Sequence, residues 1–532
     1  MNPPLIDISP DDWAIIRNIL QKNVPQWDVW AFGSRAKWTA KEYSDLDLAI
    51  ITDKPLPLKV SASLSNDFSE SDLPWKVDVV DWATTSETFR KIIERDKVVV
   101  QKGASSLGGL GGMFEWRLST WGDEVSLEYG KALRGYQDSK RGYRVFGSNG
   151  PIGWTEKPLV DGQGVILGRK GAYRGVHFSK NPFFVIDTAY YVEPKSEMDK
   201  RWLYYAIQYH KLGKIDDGSP IPSTTRAAVY VRELEVPSVP EQREIGRVLA
   251  SLDDRIDHNR SLAANLEAIA RRLFKSWFVD FDPVHAKAAG EKPPGLADDI
   301  AALFPDRFVE SELGEIPEGW CAANLADLIE VERGLSYKGS GLTDCESGKP
   351  MHNLNSVLEG GGYKYAGIKF YSGEYRERHI TKAGDIIVAN TEQGHKHLLI
   401  GFPAIIPTSC DEGLFSHHLY RVRLLRGAAT TRYWLYYALM VPDVREQIIG
   451  HANGSTVNML KPTGLQVPLV VLPLLRLCQQ FDDIVKALHE LIEASIAESA
   501  VLTNLRDLLL PRLISGKLRV EDAVSLIEET VA

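Results

Sequence analysis

Two long stretches of the chain place apolar residues at alternating steps of four and three. The first runs Ile245, Leu249, Leu252, Ile256, Asn259, Ala263, Leu266, Ala270, Leu273, Trp277. The second runs Leu477, Phe481, Ile484, Leu488, Leu491, Ser495, Glu498, Leu502, Leu505, Leu509, each displaced by 232 from its counterpart. This is the a/d spacing of helices that pack along a seam. From Glu241 to Phe278 there is no Pro and only Gly246, so one helix is expected, on the order of 55 Å long at about 1.5 Å per residue. The second stripe is bounded by Pro473 and by Pro511 with Arg512, which predicts its end there. Asn259 and Ser495 are polar seam positions able to fix register. A carboxylate at Glu498 must reach solvent or find a partner. The apolar face otherwise drifts to Ile492 and Ile496 over that turn. The two stripes are expected to pack on each other.

The repetition extends beyond the helices. The block Trp202–Ala206 (WLYYA) recurs letter for letter as Trp434–Ala438, at the same offset of 232. At the start of each copy, Trp116, Asp123, Glu128 and Gly130 pair with Trp320, Asp327, Glu332 and Gly334 at an offset of 204, so the second copy carries a net insertion of 28 residues. A period this long is domain duplication and not a solenoid array. Matching ends with a length-variable middle suggest one scaffold carrying two different surfaces, reading two things a fixed distance apart. Gly/Ser-rich sequence over 103–112 reads as a flexible linker. It sets off residues 1–102 as a separate module. The further divisions are a first repeat over 113–240, its helix over 241–280, a linker over 281–312 with one short helix near Ile300–Phe304, a second repeat over 313–473, its helix over 474–520, and a tail over 521–532.

Composition narrows the class. A 532-residue chain with 44% hydrophobic and 25% charged residues is ordinary for a globular protein of about three domains. Cys321, Cys345, Cys410 and Cys478 lack C-x-x-C spacing, which argues against a zinc site or a disulfide framework and fits a reducing cytoplasm. There is no run of about 18 apolar residues and no signal-peptide pattern, so no membrane role is expected.

The net charge of −9 speaks against a generic basic nucleic-acid binder, but its distribution is uneven. From Lys131 to Lys180 ten Lys/Arg face three Asp/Glu, interleaved with Tyr136, Tyr143, Phe146, Trp154 and Tyr173. In the second copy, Lys364, Lys369, Arg376, Arg378 and Lys382 lie among Tyr363, Tyr365, Phe370, Tyr371 and Tyr375. Lys and Arg neutralise phosphates and supply sequence-independent affinity for DNA, while loop side chains read base edges. A charge run alone reads as a solvated loop. The same mixture in both copies of an acidic chain points to double-stranded DNA, with Arg134, Lys140, Arg141, Arg144, Arg169, Lys170, Arg174, Lys364, Lys369 and Arg376 as candidate contacts.

Four short runs in order, Val236–Ile245 (VPSVPEQREI), Leu313–Trp320 (LGEIPEGW), Gly384–Val388 (GDIIV) and Leu509–Leu518 (LLPRLISGKL), carry a resemblance. Over roughly residues 113–520 the chain resembles the DNA-specificity (S) subunit of type I restriction–modification systems. The resemblance implies an α/β (α+β) chain whose two target recognition domains are joined by two long antiparallel coiled-coil helices. Each domain would read one part of a split DNA site. The helices would act as a ruler and dock methyltransferase (M) subunits, which carry S-adenosylmethionine; restriction (R) subunits would join to cleave DNA. The S subunit itself would do no chemistry. Gly168–Gly171 (GRKG) aligns near Ala389–Glu392 (ANTE), so the two halves should read different sequences.

Residues 1–102 hold an independent signal. Gly33 and Ser34 are followed, after ten residues from Arg35 to Ser44, by Asp45-Leu46-Asp47, then the apolar run Leu48–Ile51, and later Asp78 and Asp81. Asp45 and Asp47 share a face on a strand. Paired carboxylates on one face suit Mg²⁺ with substrate phosphates, and Gly33 permits close approach to a triphosphate. The pattern resembles the minimal nucleotidyltransferase family. Carried over, Asp45, Asp47 and Asp78 would hold Mg²⁺ and, with Ser34, form the catalytic set. Gly33, Ser34 and Arg35 would bind the nucleoside triphosphate. Asp81 rivals Asp78 for the third position, and Trp38 stands where the family commonly has Gly. A rival reading makes the chain an active nucleotidyltransferase, acting on a protein or RNA acceptor, that the duplicated module targets to DNA or a partner; a third makes the first domain inert.

Overall fold

The structure, a computed structural model, describes residues 6–41, 44–52, 54–101, 103, 116–138, 140–215, 222–394, 396–454 and 457–531. The linker expected over 103–112 lies, apart from Gly103, outside the described residues. The chain divides into two compact units, residues 1–118 with 235–238 and residues 119–234 with 239–532.

The first unit is a four-stranded sheet with helices on both faces. Its elements are α1 (Pro10–Asn23), β1 (Asp28–Phe32), α2 (Gly33–Ala36), β2 (Leu46–Ile51), α3 (Leu58–Ser69), β3 (Val77–Asp81), α4 (Glu87–Asp96) and β4 (Val98–Gln101). The strand order is β3-β2-β1-β4, with β2 and β3 parallel and the other pairs antiparallel. The Ser9 side chain accepts from the Asp12 N–H and so satisfies one free amide at the start of α1. Ile16, Leu20 and Leu64 from α1 and α3 pack on Val29, Ala31, Leu48 and Ile50, one face of the sheet. The opposite face, with Phe32 and Ala49, receives Ile93 of α4.

The second unit contains one sheet twice. In the first repeat the order is Val176–Ser179, Gly164–Gly168, Ala189–Pro194, Val125–Tyr129; in the second it is Pro403–Ile405, Ile386–Ala389, Leu419–Leu424, Ile329–Arg333. All neighbours are antiparallel. Registers coincide: Gly168 faces Ala189 as Ala389 faces Leu419. Gly130 and Gly334 follow the same strand end in each copy. A Cβ there would collide with the Ile186 and Ser416 carbonyls, so the close approach itself demands glycine at both positions.

The helices Val239–Phe278 and Leu475–Ile514 pack antiparallel along their length, each 40 residues and so about 60 Å long. Asp253 pairs with Arg506 at 2.8 Å, Asn259 with Glu498 at 2.9 Å, and Glu267 lies 3.9 Å from His489: positions rise on one helix as they fall on the other. Two of the three polar positions in the stripes, Asn259 and Glu498, therefore answer each other. Glu498 accepts from the Asn259 amide, which is 3% exposed, and from Arg255 at 3.0 Å. The stripe does wander at Leu491, which is 54% exposed, while Ile492 and Ile496 are half-buried beside buried Ser495. At the other end Phe274, Trp277 and Phe278 meet Phe481, Trp434 and Tyr437.

Three expectations are corrected. The second helix runs through Pro511 to Ile514, because proline loses only one backbone bond in a final turn whose Leu513 and Ile514 are buried. Residues 520–531 form a helix rather than a tail, with Ala523 buried. The segment between the repeats is packed rather than loose. It folds as helices Asp282–Ala288 and Asp298–Ala301 and a hairpin of Phe308–Ser311 with Gly314–Pro317, and its Val284 and Phe304 join the core around Trp277. The short helix Asp298–Ala301 begins two residues before the expected 300–304 and overlaps its start.

Candidate functional site

In the first unit, β1 ends at Phe32 and the chain turns sharply through Gly33, whose φ is +77°. A Cβ on Gly33 would collide with Asp47 Oδ2, so both backbone angle and space call for glycine. Asp47 stands opposite Phe32 on β1 and opposite Asp78 on parallel β3. Asp45 lies two residues earlier, on the same side of the chain. The Asp47 carboxyl is raised above the usual range, first by burial and then by the charges of Asp78 and Asp45. Asp47 is thus within electrostatic reach of both other carboxylates, as a cation-binding face requires. Asp78 is paired with Lys76 at 2.5 Å. Among the described residues, no three His, Cys, Asp or Glu side chains converge tightly enough to hold a metal ion unaided. The donors do match Mg²⁺, which takes one or two carboxylates together with substrate phosphates.

Asp81, the rival, is three residues beyond Asp78 and so on the other face. Its carboxylate accepts from Thr52 Oγ1 at 2.5 Å, the Leu56 N–H at 2.6 Å and the Ala83 N–H at 3.1 Å, and closes a turn. Ser34 is half-buried in α2, and its carbonyl accepts from the Thr39 N–H. Arg35 points inward and is 5% exposed. Its guanidinium donates to the Ser44 and Asp7 carbonyls at 2.8 Å each and lies 4.3 Å over Trp75, so it ties together the loop that leads to Asp45. Trp38 is 62% exposed at φ +58°, which explains why glycine suits that position: the backbone is left-handed there.

In the second unit the candidate basic residues separate by environment. Arg134, Lys140, Arg141, Lys170, Lys369 and Arg376 are exposed. Arg144 lies 4.5 Å over Trp154, and Lys364 reaches Asn355 Oδ1 at 2.7 Å. Arg174 donates to the Gly171, Gly213 and Ile215 carbonyls and braces the turn that presents Lys170. Arg169 donates to the Asp187 carbonyl and lies 5.1 Å over Tyr129. Arg226 covers the same ring at 4.3 Å and approaches Glu128 at 3.6 Å. Neither Tyr129 nor Arg226 was singled out by the sequence. Tyr129 carried a signal, its place before the repeated Gly130; Arg226 carried none, because 97 positions separate it from Tyr129 in the chain.

Among the described residues, no helix is long and apolar enough to cross a membrane. Residues 15–104 match the family "Polymerase beta, Nucleotidyltransferase", and residues 128–268 match the "Type I restriction modification DNA specificity domain". The probable protein adenylyltransferase MntA of Haemophilus influenzae is 57% identical over 97 residues, 18% of this chain and 85% of that protein. The specificity subunit of the type I restriction enzyme MjaIX, from Methanocaldococcus jannaschii, is 26% identical over 429 residues, 76% of this chain and 88% of that one. The crystal structure of the S subunit of a type I restriction–modification system from M. genitalium superposes with a TM-score of 0.51 at 16% identity, covering 76% of this chain and 97% of that chain, and supports the fold. The chain carries a type I restriction–modification DNA specificity domain and is similar over three quarters of its length to type I specificity subunits, and its N-terminal domain belongs to the nucleotidyltransferase family that includes MntA.

Proposed function

We propose that residues 119–520 read a bipartite, asymmetric DNA site, one half per repeat, and that the paired helices set the distance between the halves. The observation that carries this is the repeated sheet anchored at opposite ends of one antiparallel helix pair. Gly246, beside Asp199 of the first repeat, corresponds to Cys478, beside Thr430 and Thr431 of the second. Along the axis these points lie about 32 residues apart, on the order of 48 Å. That exceeds one turn of DNA, roughly 34–36 Å, the spacing scale of two-part readers. The candidate contacts are Arg134, Lys140, Arg141, Arg144, Arg169, Lys170, Arg174, Lys364, Lys369 and Arg376. The helices dock methyltransferase subunits, which bring S-adenosylmethionine, and restriction subunits complete the assembly. Genomic methylation mapping in cells that express this chain with its methyltransferase tests the proposal. A split motif with two unrelated halves is expected, and it should survive deletion of residues 1–102. Methylation lost on that deletion, or an unsplit motif, overturns it.

The N-terminal domain is proposed to hold a nucleoside triphosphate and Mg²⁺ at Asp45, Asp47 and Asp78, with Gly33 and Ser34 cradling phosphates and Arg35 fixing the loop from inside. The metal would supply charge for in-line nucleotidyl transfer. The raised carboxyl of Asp47 between two acidic neighbours supports the site. Incubation with labelled nucleoside triphosphate and Mg²⁺ should label an acceptor. No transfer above an Asp47→Ala control, across the four nucleotides and the partner subunits, refutes catalysis.

A further inference from the structure

We infer that a cleft in the second repeat, lined by Arg333, Arg376, Arg378, His379 and His417, clamps a DNA backbone phosphate. The inference rests on the DNA-reading role proposed above and names where the second repeat would grip. The cleft has a volume of about 410 Å³, and no carboxylate lines it. Glu332 stands 3.6 Å from Arg378 and is not part of the lining. Arg333, Arg376 and Arg378 are exposed. Three guanidiniums gathered at one cleft against a single neighbouring carboxylate, Glu332, leave an excess of positive charge that gains by taking an anion. His417 stacks on His418 with ring centroids 3.9 Å apart, and its Nδ1 is buried without a hydrogen-bond partner.

Position within the repeat supports the same assignment. Arg333 faces Tyr420 across the sheet as Tyr129 faces Tyr190 in the first repeat. Each precedes the glycine that both copies require. At this point the first repeat carries the Arg169–Tyr129–Arg226 stack, and the second carries the arginine–histidine cleft. From Gly130 to Gly168 is 38 positions; from Gly334 to Ala389 is 55. The additional length falls in the segment that supplies Arg376, Arg378 and His379. One point of the scaffold thus faces outward with cations in both copies, through unrelated local sequence.

The test is fluorescence anisotropy of the full chain with a labelled 30-base-pair duplex of random sequence, titrated from about 50 to 200 mM salt. Each phosphate contact contributes about 0.9 to the slope of log K against log salt. Arg333→Gln with Arg376→Gln and Arg378→Gln is expected to flatten the slope by about 1, the loss of one phosphate contact, and weaken binding at least about tenfold at low salt. The matching triple Lys variant should retain the parental slope. Parental affinity and slope in the Gln variant, while Lys170→Ala weakens binding, overturns the clamp and leaves DNA reading standing. Weaker binding with an unchanged slope, or an equal loss in the Lys variant, also overturns it, because the cleft would then act through structure or bases. Absence of any salt-dependent duplex binding by the parent removes the DNA-reading proposal and this inference with it.

Discussion

Glu498 offers a direct test of what pins the helix pair. Its carboxylate holds the buried Asn259 amide at 2.9 Å and the exposed Arg255 guanidinium at 3.0 Å. The Glu498 side chain is 31% exposed and Arg255 60%, so that ion pair is worth roughly 0–1 kcal/mol. The amide bond differs because Asn259 has no route to water. Glu498→Ala strands its donor, and a buried donor left unpaired costs about 1–3 kcal/mol. Arg255→Ala should therefore cost well under 1 kcal/mol, Glu498→Ala about 2 kcal/mol, and Asn259→Leu little, since apolar surface replaces the amide and Glu498 keeps Arg255 and solvent. Native-state hydrogen exchange of the amides of Val239–Phe278 and Leu475–Ile514 reads these differences locally in the intact chain. Asn259→Leu with Glu498→Leu should remain folded but lose a register mark, so the spacer between methylated half-sites should broaden from one length to several. If Arg255→Ala costs as much as Glu498→Ala, the amide is not the buried element argued here. If the double Leu variant keeps one spacer length, then the Asp253–Arg506 and Glu267–His489 contacts set the register alone.

Three further outcomes follow from the first unit. The Asp47 carboxyl binds its proton more tightly folded than unfolded, so its effect on stability is harmless below the unfolded value near 4 and turns unfavourable as pH rises through the raised folded value. Asp47→Asn should accordingly raise the melting temperature of the metal-free protein at neutral pH and abolish the gain produced by Mg²⁺ with nucleotide; a lower melting temperature in EDTA contradicts the electrostatic account. Arg35→Ala should cost about 3 kcal/mol or more by stranding the Ser44 and Asp7 carbonyls, read as faster exchange in β1 and β2, while Arg35→Lys cannot reach both; full stability in Arg35→Ala would return that residue to a purely nucleotide-binding role. Trp38→Gly should stabilise the domain by about 0.5–1 kcal/mol by relieving its left-handed backbone, and exchange slowing in α2 checks it.

Periodicity exposed what depends on local spacing. The stripes lie within a few turns and form the long helices their pattern implied, and Asp47 lies on the strand expected of the Asp-x-Asp pair, with Asp45 just before it. What stayed hidden depends on partners distant in sequence. Glu498 reads as a flaw in its stripe because Asn259, its partner, is 239 positions away. Arg35 reads as a phosphate ligand because its charge is visible in the sequence, while the Ser44 and Asp7 carbonyls that hold it are not. Pro511 reads as a stop because the buried Leu513 and Ile514 that sustain one more turn belong to tertiary packing. The cleft gathers Arg333, Arg376 and His417 from three separate segments through sheet pairing, so no window of the sequence contains it.

The pattern of sameness and difference between the repeats has a physical basis. The five-residue block is identical in both because it is packed between the long helices: Trp202, Tyr205, Trp434 and Tyr436 are fully buried, and a changed volume there costs several kcal/mol. The turns leaving Gly168 and Ala389 start from the same register position and then solve different problems. In the first, Arg169 and Arg174 bond carbonyls and leave Lys170 exposed. In the second, the Glu392 carboxylate caps the amides of Leu398, Leu399 and Ile400, which hold its pKa below the usual range and draw the chain into the extra sheet of Thr391–Gln393, Val457–Leu460 and Ala452–Asn453. The hydrogen bonds that shape each turn, those from Arg169 and Arg174 and those to Glu392, stay within the turn's own repeat and do not reach the long helices. The separation between the heads and the chemistry each head presents are therefore set by different residues, and one can change while the other stays fixed.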